Sequence, residues 1–264
     1  MDPANEQAFT ALTSARKSGV SLRIEKLNKS FGGKRVLTDI DLEIEAGETF
    51  SIIGPSGTGK SILLRHVIRL ETPDSGQIYI NGEALFTDPP ARITCRSSMV
   101  FQSSALFNSL TVAENVGLWL REHRVHPEQE IRRIIAEKLA VVGMGGTEGL
   151  STSELSGGMR KRVAIARSLA MEPDLILYDE PTAELDPVTT DELAETIVSL
   201  RNKSCTTSVI VTHDLNFALY LSDRIAMMHA GRIIETGTPR QIRESGNPLV
   251  QRFIRTTTKG ISSI

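Results

Sequence analysis

Asp179 and Glu180 close the apolar run Leu175-Ile176-Leu177-Tyr178, and far upstream stands Gly54-Pro55-Ser56-Gly57-Thr58-Gly59-Lys60-Ser61. The upstream segment has the spacing G-x4-G-K-S of a loop that cradles phosphates. Its glycines let backbone N–H groups face phosphate oxygens, and the helix that follows presents its positive end. The pattern places Lys60 on the β- and γ-phosphates and the Ser61 hydroxyl on Mg²⁺. In phosphoryl transfer a metal neutralises developing charge while a carboxylate orients the attacking water. Asp179 and Glu180 suit those two duties, because adjacent residues at a strand end point in different directions. A third segment, Leu155-Ser156-Gly157-Gly158-Met159, puts a hydroxyl and bare backbone amides at the start of a helix. That is a second place for an anion.

These residues need strands and helices to hold them. Leu22, Ile24 and Leu27 roughly alternate, as do Ile40, Leu42 and Ile44, and both sets read as half-buried antiparallel strands. Phe50-Ser51-Ile52-Ile53 reads as a buried strand feeding the glycine loop, with a helix from about Lys60 to Leu70. Pro73 to Gly76 makes a turn, and Asn81-Gly82 closes a strand or hairpin. Residues 103–150 carry two helical patterns, around Thr111–His123 and Pro127–Val142, the second with Ile131, Ile134, Ile135, Leu139 and Val142 on one face. A helix begins near Ser156, followed by strand 174–178, a helix around 187–201, and strand 206–212. A last hairpin turns near Ala230-Gly231, before short helices and a polar tail. Strands alternating with helices indicate a mostly parallel sheet. The expected fold is α/β: a phosphate-loop NTPase core of RecA-like type, an added antiparallel β-subdomain and an inserted helical subdomain.

Composition narrows the class. The chain has 264 residues, 40% of them hydrophobic and 23% charged, as in an ordinary globular protein. The longest apolar runs fall far short of the ~20 residues that span a bilayer, so any membrane role needs a partner to supply the spans. Residues 1–20 are small and polar and contain no apolar stretch of the kind found in signal peptides. The net charge of −2, with Lys and Arg dispersed, leaves no footprint for nucleic acid. Cys95 and Cys205 have no neighbouring cysteine, which fits a reducing compartment and argues against a disulfide or zinc framework. His123 and His126 read as solvated histidines near a helix end.

Taken in order, the glycine loop, the Leu155-Ser156-Gly157-Gly158 segment and the strand ending in Asp179-Glu180 resemble the ATPase subunit of an ABC (ATP-binding cassette) transporter. LSGG is that family's signature, and the resemblance runs from about Leu22 to Thr238. It implies ATP and Mg²⁺ as cofactors and ATP hydrolysis coupled to transport. It makes Gly54, Pro55, Ser56, Gly57, Thr58, Gly59, Lys60, Ser61 and Ile62 the nucleotide loop, with Ile62 standing where Thr is usual. Asp179 resembles the Walker B carboxylate that holds Mg²⁺ through water, and Glu180 the general base. Gln102, after Met99-Val100-Phe101, looks like the Q-loop glutamine that senses metal and water. His213, after strand 208–212, looks like the H-switch that contacts the γ-phosphate. Phe31 occupies the place where the family stacks an aromatic, usually Tyr, on adenine. Ser156, Gly157 and Gly158 would cap the γ-phosphate held by a second copy, so ATP glues a head-to-tail dimer. The D-loop, Ala183-Glu184-Leu185-Asp186, lies where it can cross the same interface, with Glu184 in place of a small residue.

The expected organisation is an arm over residues 1–20, the ATPase domain over 21–245 with its helical subdomain at about 103–165, and a tail over 246–264. Two longer segments are distinctive: residues 101–116, and Glu154-Leu155-Ser156-Gly157-Gly158-Met159-Arg160-Lys161-Arg162, where Met159 replaces the common Gln. They look like the ATPase of MCE-associated lipid transporters, the Mla type of Gram-negative bacteria and its plastid relatives. That resemblance implies phospholipid as cargo, an integral permease, an MCE-domain lipid-binding protein and, in some systems, a STAS-domain subunit. It places the chain on the cytoplasmic face of the inner membrane, held peripherally by the permease. In such transporters a groove after the Q-loop receives a short permease helix, and here Leu106, Phe107 and Leu110 would line it. The alternatives are the ATPase of a small-solute importer, which usually ends its signature in Gln, and a signalling ATPase of the cell-division type. A DNA-handling ATPase would need coiled-coil insertions or a basic face, and neither is visible.

Overall fold

The computed structural model describes residues 19–88, 95–203 and 205–258. Period-two alternation builds a four-stranded antiparallel sheet from β1 (Leu22–Phe31), β2 (Lys34–Ile44), β4 (Ser75–Ile80) and β5 (Glu83–Ala84), in the order β2-β1-β4-β5. Leu22, Ile24 and Leu27 face Ile44, Leu42 and Ile40 across the β1–β2 pair. The step from 24 to 27 is a register shift in which Lys26 takes a positive φ of 46°. This is why the alternation in β1 is imperfect.

The second sheet has the order β10-β9-β3-β8-β7-β6. Its strands are β3 (Thr49–Ile53), β6 (Ser97–Val100), β7 (Leu175–Asp179), β8 (Thr207–Thr212), β9 (Arg224–His229) and β10 (Arg232–Gly237). All pairs are parallel except the β9–β10 hairpin. β3, β7 and β8 are buried along their whole length, as expected for parallel strands covered on both faces. Alternation then sorts their side chains. Leu175 and Leu177 enter the core shared with the antiparallel sheet, while Ile176 and Tyr178 enter the core shared with the helices.

The helical core packs α2 (Val112–Glu122), α3 (Glu128–Val141) and α4 (Gly157–Ala170) together. The face expected on α3 is the one buried, through Ile131, Ile135, Leu139 and the following Val142. α2 starts at a capping box: the Thr111 side chain accepts the Glu114 N–H, and the Glu114 carboxylate takes the Thr111 N–H. The expected edge of this subdomain at 165 falls inside a helix, since α4 continues to Ala170.

Three boundaries differ from expectation. α1 (Lys60–Val67) stops before Leu70, because Arg69 turns to a φ of 58°. Residues 1–18 lie outside the described residues, but Val20, within the expected arm, is buried and bonded through both its N–H and its carbonyl to the Thr207 hydroxyl. The tail expected from 246 contains α8 (Pro248–Thr258). Its Val250 and Phe253 pack with Ile53, Leu215, Ile225 and Met227, in a third core shared with α6 (Leu215–Leu221) and with Ile242 of α7 (Pro239–Arg243). This segment carries an apolar stripe too short to stand out from a polar surrounding, and only the core it shares with Ile53, Ile225 and Met227 gives it a purpose. Residues 259–264 lie outside the described residues.

Candidate functional site

The site lies off the carboxyl ends of β3, β7 and β8, where parallel α/β sheets bind ligands. The loop 54–59 leaves β3 and enters α1. Gly54 has a φ of 150°, and a Cβ there would stand 2.1 Å from the Met228 carbonyl oxygen, so no side chain fits. α1 has no acidic residue in its first turn and no side-chain cap, which leaves its first amides open to an anion. The Lys60 ammonium donates to the carbonyls of Gly54 (2.8 Å) and Pro55 (3.2 Å) and lies 3.5 Å from Glu180 Oε1. Burial lowers its pKa, and Glu180 and Asp179 oppose that shift. Thr58 ties the loop to itself through its hydroxyl and the Pro55 carbonyl (2.9 Å).

Asp179 is the last residue of β7. Ser61 Oγ donates to its Oδ1 at 2.6 Å. Burial raises the Asp179 pKa, and the Ser61 bond only partly offsets it. Glu180 then takes a φ of 46°, while its N–H donates to the Val211 carbonyl at 2.8 Å. A left-handed non-glycine residue costs on the order of 1 kcal/mol, and such strain gathers at functional sites. Glu180 Oε2 accepts the His213 N–H (3.1 Å) and pairs with His213 Nδ1 (2.8 Å). The two carboxylates thus have separate partners, as the two duties require.

A cavity of about 300 Å³ joins these groups; its walls include Ser56, Gly57, Gly59, Lys60, Ser61, Ile62, Gln102, Glu180 and His213. Val36 of β2 lines it too, a residue with no chemical type to betray it in the sequence. The Ser61 hydroxyl lines the cavity and its oxygen lies 2.6 Å from an Asp179 carboxylate oxygen, a pair that fits Mg²⁺, which takes few protein oxygens and completes its shell with phosphate and water. Ser61 and Asp179 would hold it there. Replacing Asp179 with Asn should remove a carboxylate that is costly to bury. We expect the ligand-free melting temperature to rise by roughly 2–4 °C, the shift given by about 1 kcal/mol in a domain of this size. Mg²⁺-dependent turnover should collapse in the same variant, and an unchanged or lower melting temperature would contradict the burial argument.

Phe31 stands apart from this cavity. The residue is 42% exposed at the end of β1, with the Lys29 ammonium 5.0 Å from its ring centroid. Ser156 caps α4 by accepting the Met159 N–H at 3.2 Å, yet Ser156, Gly157 and Gly158 are not among the residues that line the phosphate cavity. A Cβ on Gly158 would come 2.3 Å from Thr189 Cγ2 of α5 (Pro187–Lys203), so this glycine also serves packing. Gly157 has no such neighbour: the nearest atom to its Cβ position is 3.8 Å away. In the D-loop Glu184 takes a φ of 66°, and Asp186 accepts from Thr189 N–H (3.0 Å) and Oγ1 (2.6 Å) at the start of α5. His123 stacks on Trp119, with ring centroids 4.5 Å apart.

A glycine loop feeding a helix, two carboxylates with separate partners and a second helix start capped by Ser156 are the parts expected of an ATP-hydrolysing cassette, and comparison with known proteins agrees. The family model described as ABC transporter matches residues 37–183. The "Probable ribonucleotide transport ATP-binding protein mkl" of Mycobacterium tuberculosis is 39% identical over 247 residues, covering 92% of this chain and 69% of that protein. "Protein TRIGALACTOSYLDIACYLGLYCEROL 3, chloroplastic" of Arabidopsis thaliana is 38% identical over 255 residues, covering 89% and 74%. The solved dimer of the cassette MJ0796 in a post-hydrolysis state with ADP and Pi superposes with a TM-score of 0.74 at 32% identity, covering 83% of this chain and 99% of that one. This chain belongs to the ABC transporter family. It is an ATP-binding, ATP-hydrolysing subunit that uses ATP with Mg²⁺.

Proposed function

We propose that two copies of this chain close head-to-tail around ATP and drive a lipid transporter, with phospholipid as cargo, through a separate membrane permease. The observation that carries the dimer is that the signature does not line the phosphate cavity: one copy has the loop, the metal oxygens and Glu180, and the Ser156-Gly157-Gly158 anion site would complete a site held by the other copy. The dimeric form of MJ0796 supports this reading. Each site then has named parts. Lys60 and the loop amides bind the β- and γ-phosphates, and Ser61, Asp179 and Gln102 serve the metal edge. Glu180 takes a proton from the attacking water while His213 holds its other oxygen. Phe31, exposed at the end of β1, would offer its face to adenine. When the γ-phosphate leaves, the bridging charge goes with it and the two copies separate.

Among the described residues no helix is long and apolar enough to cross a membrane. The lipid-transporter reading places the chain on the cytoplasmic face of the inner membrane, held by its permease. Phe107 is the anchor we assign to that contact. The residue is 52% exposed, yet its backbone is held by the buried Asn115, which accepts the Phe107 N–H at 2.8 Å and donates to the carbonyls of Phe107 and Leu110 at 3.1 and 3.2 Å. A large apolar group held rigidly in water suits a docking patch. Leu106, by contrast, packs against the helical core, and Leu110 is half-buried.

The lipid assignment rests on the segments 101–116 and 154–162 and on the relative named for trigalactosyldiacylglycerol. The relative named for ribonucleotide transport keeps the small-solute alternative in view. Affinity purification from membranes separates them. A permease with an MCE-domain protein, a STAS-domain subunit where present, and bound phospholipid is the expected set; a solute-binding protein in their place would overturn the lipid reading. In the same preparation, Phe107→Ala should stay folded and bind ATP, and lose about 2 kcal/mol or more of permease affinity. Unchanged complex assembly would remove Phe107 as an anchor.

A further inference from the structure

The signature helix does more than present Ser156 to a phosphate. Lys161, one turn into α4, is buried, and its ammonium donates to the backbone carbonyl of Gln102. Six residues on, Arg167 spreads its guanidinium over the next stretch of the same loop, donating to the carbonyls of Ala105 (2.7 Å) and Ser104 (3.1 Å). Ser104 and Ala105 both hold positive φ, 62° and 47°, a pair of left-handed conformations that residues with side chains rarely adopt in sequence. Among the described residues neither Lys161 nor Arg167 forms an ion pair; both cations are aimed at backbone oxygen. Farther along, Asn115 of α2 holds Phe107 and Leu110. The loop from Gln102 to Leu110 is thus gripped at residues 102, 104, 105, 107 and 110 by side chains of two helices.

The charge of Lys161 also feels nearby carboxylates. Asp179, Glu180 and Glu184 all attract its charge, with Glu184 the strongest, and together they oppose the lowering of its pKa by burial. Glu184 lies in the D-loop. One buried ammonium therefore links the signature helix that bears it to the glutamine loop that accepts its hydrogen bond.

We propose that Lys161 and Arg167 are positioning residues: they hold Gln102 in register with the cavity and deliver movements of the signature helix to it. Resting on the reading that Gln102 serves the metal edge, this adds the parts that place it. A rigid element linked to a loop by directed hydrogen bonds transmits displacement, whereas a loop held only by its ends absorbs it.

The test compares Lys161→Met, Lys161→Arg and Gln102→Ala, singly and with Lys161→Met and Gln102→Ala combined, in the full chain. ATP affinity by fluorescent-nucleotide titration, melting temperature, kcat and the half-saturating Mg²⁺ concentration are read for each. Lys161→Met should keep ATP affinity within about twofold, lose kcat about tenfold and require more Mg²⁺, the scale at which linked residues modulate a distant site. Lys161→Arg should recover most of kcat, because it restores a donor to the Gln102 carbonyl. Added to Gln102→Ala, Lys161→Met should cost nothing further. A purely structural lysine would lower the melting temperature and leave the Mg²⁺ requirement alone, and that result overturns the proposal. So do losses that multiply in the double variant. Wild-type turnover in Gln102→Ala would instead mark the failure of the underlying reading of Gln102, and the positioning role falls with it. Should Lys161→Met fail to fold, Arg167→Lys carries the test. It keeps the charge but loses the two-pronged geometry, and should shift the Mg²⁺ requirement in the same direction; an unchanged requirement counts against the proposal.

Discussion

Glu180→Gln is expected to abolish most ATP turnover, by roughly 10²–10⁴-fold, while leaving nucleotide binding near normal. The size follows from the role assigned to the carboxylate. It is needed to accept a proton in the transition state, and binding the phosphates falls to Lys60 and the loop amides. The amide side chain can still accept the His213 N–H that Glu180 Oε2 accepts at 3.1 Å, so the local geometry should survive. It cannot replace the charge that lies 3.5 Å from the Lys60 ammonium, but Asp179 also favours that charge and remains. The variant should accumulate as an ATP-bound dimer, visible by size-exclusion chromatography with ATP and absent without it. Near-normal steady-state hydrolysis would remove Glu180 from the role of general base.

The second large effect is expected from Gly157→Asp, which sets a carboxylate where the γ-phosphate of a partner copy should lie, so that like charges repel. Gly158 is the less suitable position, since any Cβ there meets Thr189 at 2.3 Å and packing would be lost together with binding. Position 157 has room. The single variant should bind ATP as a monomer with unchanged affinity, because its loop is intact, yet neither dimerise nor hydrolyse. Lys60→Ala should be inactive for the opposite reason. Mixed in equal amounts, the two inactive chains should recover activity: each mixed dimer has one intact composite site and one doubly damaged site. If each chain pairs only with the other and the sites are independent, one site in every dimer is intact and up to roughly half of wild-type turnover should return, from the two-fold symmetry alone. A mixture as inactive as its parts, or a Gly157→Asp monomer that no longer binds ATP, would mean that the signature acts within its own chain.

Much of this site could be read from the chain. The glycine loop announces itself because backbone access to phosphate needs glycine at fixed spacing, and Gly54 has no room for any other residue. The strand ending at Asp179 was visible as a continuous apolar run because both faces of β7 are covered. Other features left no such mark. Lys161 sits in the run Arg160-Lys161-Arg162 and looks like any solvated charge, yet it is buried while Arg160 is exposed. Charged residue types indicate nothing about burial when a carbonyl on another element supplies the compensation. The helix Pro248–Thr258 resembled a tail for a related reason, since its buried Val250 and Phe253 have meaning only against Ile53 and Ile225.

The amino-acid order by itself determined the properties that depend on near neighbours: which runs form strands, where Ser156 starts a helix, and which short segments can take a phosphate. These are set by spacing, period and backbone permissiveness over a few residues. Only the tertiary structure decided which distant residues meet. Ser61 reaches Asp179 across 118 positions, His213 reaches Glu180 across 33, and Lys161 reaches Gln102 across 59. Those meetings follow from the strand order β3-β8-β7-β6, which brings the ends of four strands to one edge. Strand order is settled by how whole layers bury their apolar faces against one another, and no local period of the sequence encodes it.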